Sequence, residues 1–287
     1  MSAAKLIGVG INFSMALMVF GIALTAGSHG ARLAFKNPAL MARSLVAMYA
    51  VMPLIAVAIA LNFELNRPLL IALMLLALAP VPPILPTKQI KLGGSEAYVL
   101  GLLVVSAVAA IVVVPAGVAL IGKVFGQDLD VPFATTTRVV AVSVLVPVVA
   151  GLLLARLLPA LAARLARPAS IASTVLLSVL LVPVLFKSWS TIVAQTGNFT
   201  IVAILLFVAV GLVAGHLLGG PDPHERSALA LATATRHPGV AIAVVHSILP
   251  DEAGVAPAVL LYLIVSVLAS IPYVKWRMRG LAGAKGA

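Results

Sequence analysis

Charged residues are missing from long stretches of this chain. None stands between Glu96 and Lys123, between Arg138 and Arg156, or between Arg167 and Lys187. Apolar runs of that length, continuous rather than alternating, read as membrane-spanning helices and not as strands of a membrane barrel. With 62% hydrophobic and 9% charged residues, the sequence has too little charge to cover a water-soluble domain of 287 residues. It contains no cysteine, which excludes disulfides, thiolate metal sites and cysteine nucleophiles. Phosphate-binding loops, metal-ligand clusters and paired catalytic carboxylates are all lacking, so neither catalytic nor metal-binding residues are expected and the chain does not read as an enzyme.

Nine spans are expected: Leu6–Gly27, Ala39–Leu61, a third from Pro68 into Pro86, Glu96–Ile121, Thr136–Leu158, Ala169–Ser190, Phe199–Leu218, a broken eighth from Ser227 to Leu249, and Ala256–Tyr273. Between them lie a polar loop at Gly126–Pro132, a basic link from Arg156 to Arg167 and a short basic tail after Lys275. Five bases fall on the side of the N-terminus (Lys5, Arg67, Lys123, Arg138 and Lys187) and thirteen on the other, Arg236 being unassigned. The positive-inside rule then places the N-terminus outside and the C-terminus in the cytoplasm of a cell (inner) membrane, which needs an odd number of spans. No cleavable signal is evident, and the first helix reads as a reverse anchor. The +11 net charge is therefore topological, and no nucleic-acid partner is expected.

Two spans cannot be continuous helices. Pro80-Val81-Pro82-Pro83-Ile84-Leu85-Pro86 interrupts the third, and Thr233-Ala234-Thr235-Arg236-His237-Pro238-Gly239 interrupts the eighth. Counting about 1.5 Å per helical residue from Glu225 places Arg236 roughly 16 Å deep, near the middle of a ~30 Å hydrocarbon layer. In each span a proline, Pro82 or Pro238, precedes a glutamate, Glu96 or Glu252, by the same interval. Ser95 or Asp251 beside it can cap a new helix. This points to an inverted repeat: 1–126 as a first half with spans one to four, and 127–287 as a second with spans five to nine, within one transmembrane domain.

Broken helices at the midplane are where secondary transporters build their sites. The expected pathway residues are Arg236, His237, Pro238, Gly239, Thr235, Thr233, Thr87, Lys88, Pro82, Pro83, Ser106 and Asn12. Arg236 either faces the pathway, the expectation adopted, or bonds to freed carbonyls as a plug. His237 either satisfies backbone groups or carries a proton. Lys88 stands near the break, whereas Lys91 reads as a snorkelling lysine. All eight acids lie in loops or at span ends, so the midplane offers positive charge and half-helix N-termini, a field suited to an anion.

The run Leu17-Met18-Val19-Phe20-Gly21-Ile22-Ala23-Leu24-Thr25, then Asn37-Pro38, Met48-Tyr49-Ala50-Val51-Met52-Pro53-Leu54 and the two breaks, in this order, resembles the bile acid:sodium symporter family. The resemblance implies a core of spans two to four and seven to nine around two crossing broken helices, and a panel of spans one, five and six. Substrate would move between them. It also implies sodium ligands, and here the sequence departs. The positions of the sodium-coupled members' glutamate, glutamine and asparagine at the second crossover fall on Ala232, Arg236 and His237. A glutamine of the second span falls on Met48, Pro86-Thr87 stand for a Ser-Asn pair, and Ser106 alone matches a hydroxyl ligand. The reading adopted is a secondary transporter of a small organic anion in contact with membrane lipid, without a cofactor and with the usual sodium sites lost. A sodium-coupled symporter and a non-transporting sensor or scaffold are the alternatives. Substrate, direction and oligomeric state are left open.

Overall fold

The computed structural model describes residues 3–33, 37–124, 132–197 and 199–283, and among these there is no strand. In chain order the helices are α1 (Ala3–Leu33), α2 (Pro38–Val46), α3 (Met52–Asn62), α4 (Arg67–Leu78), α5 (Leu85–Lys91), α6 (Glu96–Val124), α7 (Phe133–Val140), α8 (Val146–Leu157), α9 (Pro159–Lys187), α10 (Trp189–Val193), α11 (Thr200–Leu218), α12 (Pro223–Ala234), α13 (Pro238–Ile248) and α14 (Val255–Gly283). Single π-helical stretches, Ala47–Val51 and Ala141–Leu145, join α2 to α3 and α7 to α8. Eight helical segments among the described residues are long and apolar enough to cross a membrane, and Arg67–Leu78 is a shorter apolar helix. Leu61, Phe186 and Leu217 are each at least 70% exposed, as side chains that face lipid would be.

One local device starts four of these helices. Asn37, Asn66, Asp222 and His237 each precede a proline in the first turn, and each side chain accepts a backbone N–H that the turn leaves unpaired. The same prolines explain both interruptions. α4 stops at Leu78 before Pro80, Pro82 and Pro83, and α5 resumes at Leu85; α12 stops at Ala234, and α13 resumes at Pro238.

Small residues set the helix separations. Gly211 and Gly215 on α11 and Gly219 just after it face Ala234, Ala230 and Arg226 on α12 in antiparallel order, backbone to backbone. A Cβ on Gly215 would lie 2.5 Å from the Ala230 Cα. α1 packs instead on α8 and α9, with Gly151 against Ala23 and Gly21 against Ser170. Thus α1, α8 and α9 form one group and the broken helices lie in another with α11 and α14.

Two expectations need correction. The basic link from Arg156 to Arg167 is not a loop: only Leu158 separates α8 from α9, which runs through Pro168 and Pro183 to Lys187. Its Ala160, Leu161, Ala162, Ala163, Leu165 and Ala166 are strong helix formers, and Pro159 is suited to the first turn. The basic tail, whose secondary structure the sequence leaves open, is helical as far as Gly283, held where Arg277 donates 2.7 Å bonds to Ser227 Oγ and the Pro223 carbonyl. Ser95 does cap α6, accepting from the Tyr98 amide at 3.3 Å, but Asp251 sits in a turn and α14 starts only at Val255. The expected loop at Gly126–Pro132 lies, apart from Pro132, outside the described residues.

Candidate functional site

The two interruptions meet. The amide of His237 donates to the Pro80 carbonyl at 2.9 Å, so the freed backbone of one break is satisfied by the other. Val81 N–H, unpaired by the first break, donates to Ser106 Oγ at 3.4 Å, while Ser106 Oγ donates to Leu103 O at 3.1 Å. Tyr262 Oη closes the end of α12 by donating to the Ala234 carbonyl at 2.7 Å.

Arg236 stands at the centre of this crossing and is fully buried. Its Nη2 donates to the Ala77 carbonyl at 3.1 Å and to the Met48 carbonyl. The first acceptor belongs to the last turn of α4, where the break leaves carbonyls unpaired. The second lies in the π-helical stretch, and in the π pattern the carbonyl of Met48 would need an N–H from residue 53, which is proline. The guanidinium carbon also lies 5.9 Å from the centre of the Tyr49 ring, whose hydroxyl donates to Ser106 O at 2.6 Å. Nε and Nη1 of Arg236 have no partner among the described residues, and no carboxylate pairs with it there.

A cavity of about 1060 Å³ opens beside the crossing, between α1 and α9 on one wall and the broken helices with α14 on the other. Ile, Leu, Val and Pro side chains make most of its lining, with Lys88, Lys275, His246 and Asn12 among its polar groups. Six of the twelve expected pathway residues reach it: Asn12, Pro82, Lys88, Thr235, Pro238 and Gly239. The other six stand outside its lining. Arg236 takes the plug geometry, its guanidinium turned into the protein. His237 is 1% exposed, and its Nδ1 accepts from the Gly239 amide at 3.1 Å, a bond that a proton on Nδ1 would break. Thr233 and Thr87 return their hydroxyls to the Leu229 and Ile84 carbonyls at 2.8 and 3.0 Å. Pro83 is buried, and Ser106 serves the break.

Tyr49, Tyr262, His246 and Lys275 were not singled out from the sequence. The tyrosines complete the crossing and the other two reach the cavity. A proline five residues beyond a carbonyl, as at Met48 and Pro53, is a local sign that could have flagged the Met48 carbonyl as a partner for Arg236. A second cavity, of about 240 Å³, lies between α4, α6 and α13 away from both breaks, with Arg67 in its wall. Among the described residues, no three His, Asp or Glu side chains gather as a metal site.

A search of curated proteins finds no match to this chain. The sequence model of the Sodium Bile acid symporter family matches residues 12–196, a stretch that holds the first break and ends before the second. That match takes in well over half of the sequence, and with the all-helical, membrane-spanning fold it means that the chain belongs to the sodium bile acid symporter family, whose members are membrane transporters.

Proposed function

We propose that this protein is a secondary carrier of an organic anion, working by alternating access without the usual sodium sites. The cavity carries the reading. About 1060 Å³ of space with apolar walls and two lysines, Lys88 and Lys275, suits a carboxylate with an apolar body. Its walls belong to the two groups of helices, so that a shift of α1, α8 and α9 against the broken helices would expose it first to one side and then to the other. In this reading Arg67–Lys91 counts as one broken pass, which makes nine passes arranged as an inverted repeat. The N-terminus is outside and the C-terminus in the cytoplasm of the inner membrane. Arg236 does not touch the substrate. It holds a fixed positive charge one residue behind Thr235 and two before Pro238, both of which line the cavity.

Uptake into proteoliposomes tests the proposal, with a panel of radiolabelled carboxylates from short-chain acids to bile acids and with or without a sodium gradient. We expect saturable uptake of one class that ignores sodium, and weaker affinity for it in Lys88→Gln and Lys275→Gln. Uptake that rises saturably with sodium would restore sodium coupling. Binding of an anion with no uptake would make the protein a sensor or scaffold.

A further inference from the structure

Where α5 turns through Gly93-Gly94-Ser95 and meets the first turns of α12, two sealed oxygen atoms have no donor among the described residues. Gln89 is fully buried, and its Nε2 donates to the Ala228 carbonyl at 2.7 Å. That bond fixes the amide, because the flipped group would set two acceptors face to face. Gln89 Oε1 is then left without a partner. One turn earlier on α12, Glu225 Oε1 accepts from Ser95 Oγ at 2.7 Å, while Glu225 Oε2 is sealed from solvent and has no partner either.

The seam around them is tight. His224 Nδ1 stands 3.1 Å from the Leu92 carbonyl, and a Cβ on Gly94 would lie 3.1 Å from both the Ala228 Cβ and the Gln89 carbonyl oxygen. Both orphan atoms are acceptors, so the missing element is a hydrogen. Glu225 as a whole is half-buried, yet an ionised carboxylate with one oxygen sealed and unpartnered is costly, whereas a protonated one turns that oxygen into a donor.

Neighbouring charges do not supply the pairing. On its own helix, the His224 ring is engaged by the Leu92 carbonyl, while Asp222 caps the first turn by accepting from the His224 amide at 2.7 Å, and its negative charge offsets the favourable helix terminus. Arg226 Nε is engaged by Gly220 O at 2.6 Å. Arg277 of α14 is engaged by Ser227 and Pro223, and His216 of α11 by Tyr273. On the segment opposite are Lys88, which faces the cavity, Lys91, which is exposed, and Glu96; Tyr98 of α6 is bonded to Ser44. No ion pair to Glu225 forms among the described residues.

We propose that Glu225 is a proton-binding site that closes the α5–α12 seam when protonated and opens it when ionised. The proton sits on Glu225 Oε2 and passes to water when the seam parts. Lys88 of α5, Leu231 of α12 and Thr235 just beyond it line the cavity, so parting these helices reshapes its wall. The carrier reading is needed only for the consequence, that access to the cavity is linked to a proton.

The chain has no cysteine, so Leu92→Cys places a single thiol at a position 3% exposed in the seam. Maleimide labelling of the purified full chain is followed against pH and normalised to exposed Lys91→Cys, which cancels the thiol's own titration. The normalised rate should climb up to ~tenfold per pH unit below the midpoint, as the ionised fraction does. Adding Glu225→Gln, whose amide can still donate, should leave labelling slow and flat. Ser95→Ala removes the bond to the ionised form and should move the midpoint up by ~1 pH unit, a reading that stands even if the Gln variant folds poorly. A flat profile with Glu225 intact, as a bound water would give, overturns the proposal, and so does an unchanged profile in Glu225→Gln or an unmoved midpoint in Ser95→Ala. None of these readings needs a transport assay, so failure of the seam and failure of the carrier reading are separable.

Discussion

Sodium should leave the stability of this protein unchanged, and Arg236 is the reason. Its guanidinium already holds the Ala77 and Met48 carbonyls at the crossing, the kind of oxygen atoms that a monovalent cation would coordinate. A sodium ion placed ~4 Å from it would feel repulsion of about 4 kcal/mol at an effective dielectric constant of ~20. That weakens binding about a thousandfold. A site with a dissociation constant of ~10 mM, probed at ~100 mM, adds about 1.4 kcal/mol of stability by mass action. For a chain of this size that is a rise in Tm of a few degrees. Weakened a thousandfold, the same site adds nothing measurable. The assay is thermal unfolding of the purified protein in sodium chloride and in choline chloride at equal ionic strength. We expect equal Tm values. A Tm that rises saturably with sodium, and not with choline, would refute the reasoning. Arg236→Gln provides the companion measurement. It leaves two carbonyls short of donors, at about 1–3 kcal/mol each, but removes a buried charge that costs several kcal/mol. The variant should therefore fold, with a Tm close to that of the wild type.

Gly215→Val should destabilise the protein by about 3 kcal/mol, because its Cβ would meet the Ala230 Cα at 2.5 Å and the Leu229 carbonyl at 2.6 Å, and backbone cannot rotate aside. Gly8→Ala, inside α1 with nothing within 4 Å, is the control in the same thermal assay and should be unchanged or stabilised by up to ~1 kcal/mol. Single cysteines in this cysteine-free chain report topology through an impermeant reagent applied to intact cells. Lys187→Cys should label from outside and Arg164→Cys should not, and the reverse pattern would invert the assignment.

Some of this was legible residue by residue. A run without charge from Glu96 to Lys123 has no low-energy state in water, and prolines spaced as Pro80, Pro82 and Pro83 cannot all sit inside one helix. Both facts are local, so they survive folding unchanged. The stretch from Pro159 to Pro168 misled for a related reason: its prolines and arginines read as a link, while the alanines and leucines between them decided for helix. The direction of Arg236 was of another kind. At an extended break neighbouring side chains point to opposite sides, so Thr235 reaches the cavity while Arg236 turns into the protein. Which side is the cavity depends on where α1 and α9 stand, and which side offers bare carbonyls depends on the last turn of α4 and the π-helical stretch before Pro53. Those segments are far from residue 236 in the chain. The cost of a buried charge demanded some partner for it, and only the tertiary structure decided that the partner was backbone rather than substrate.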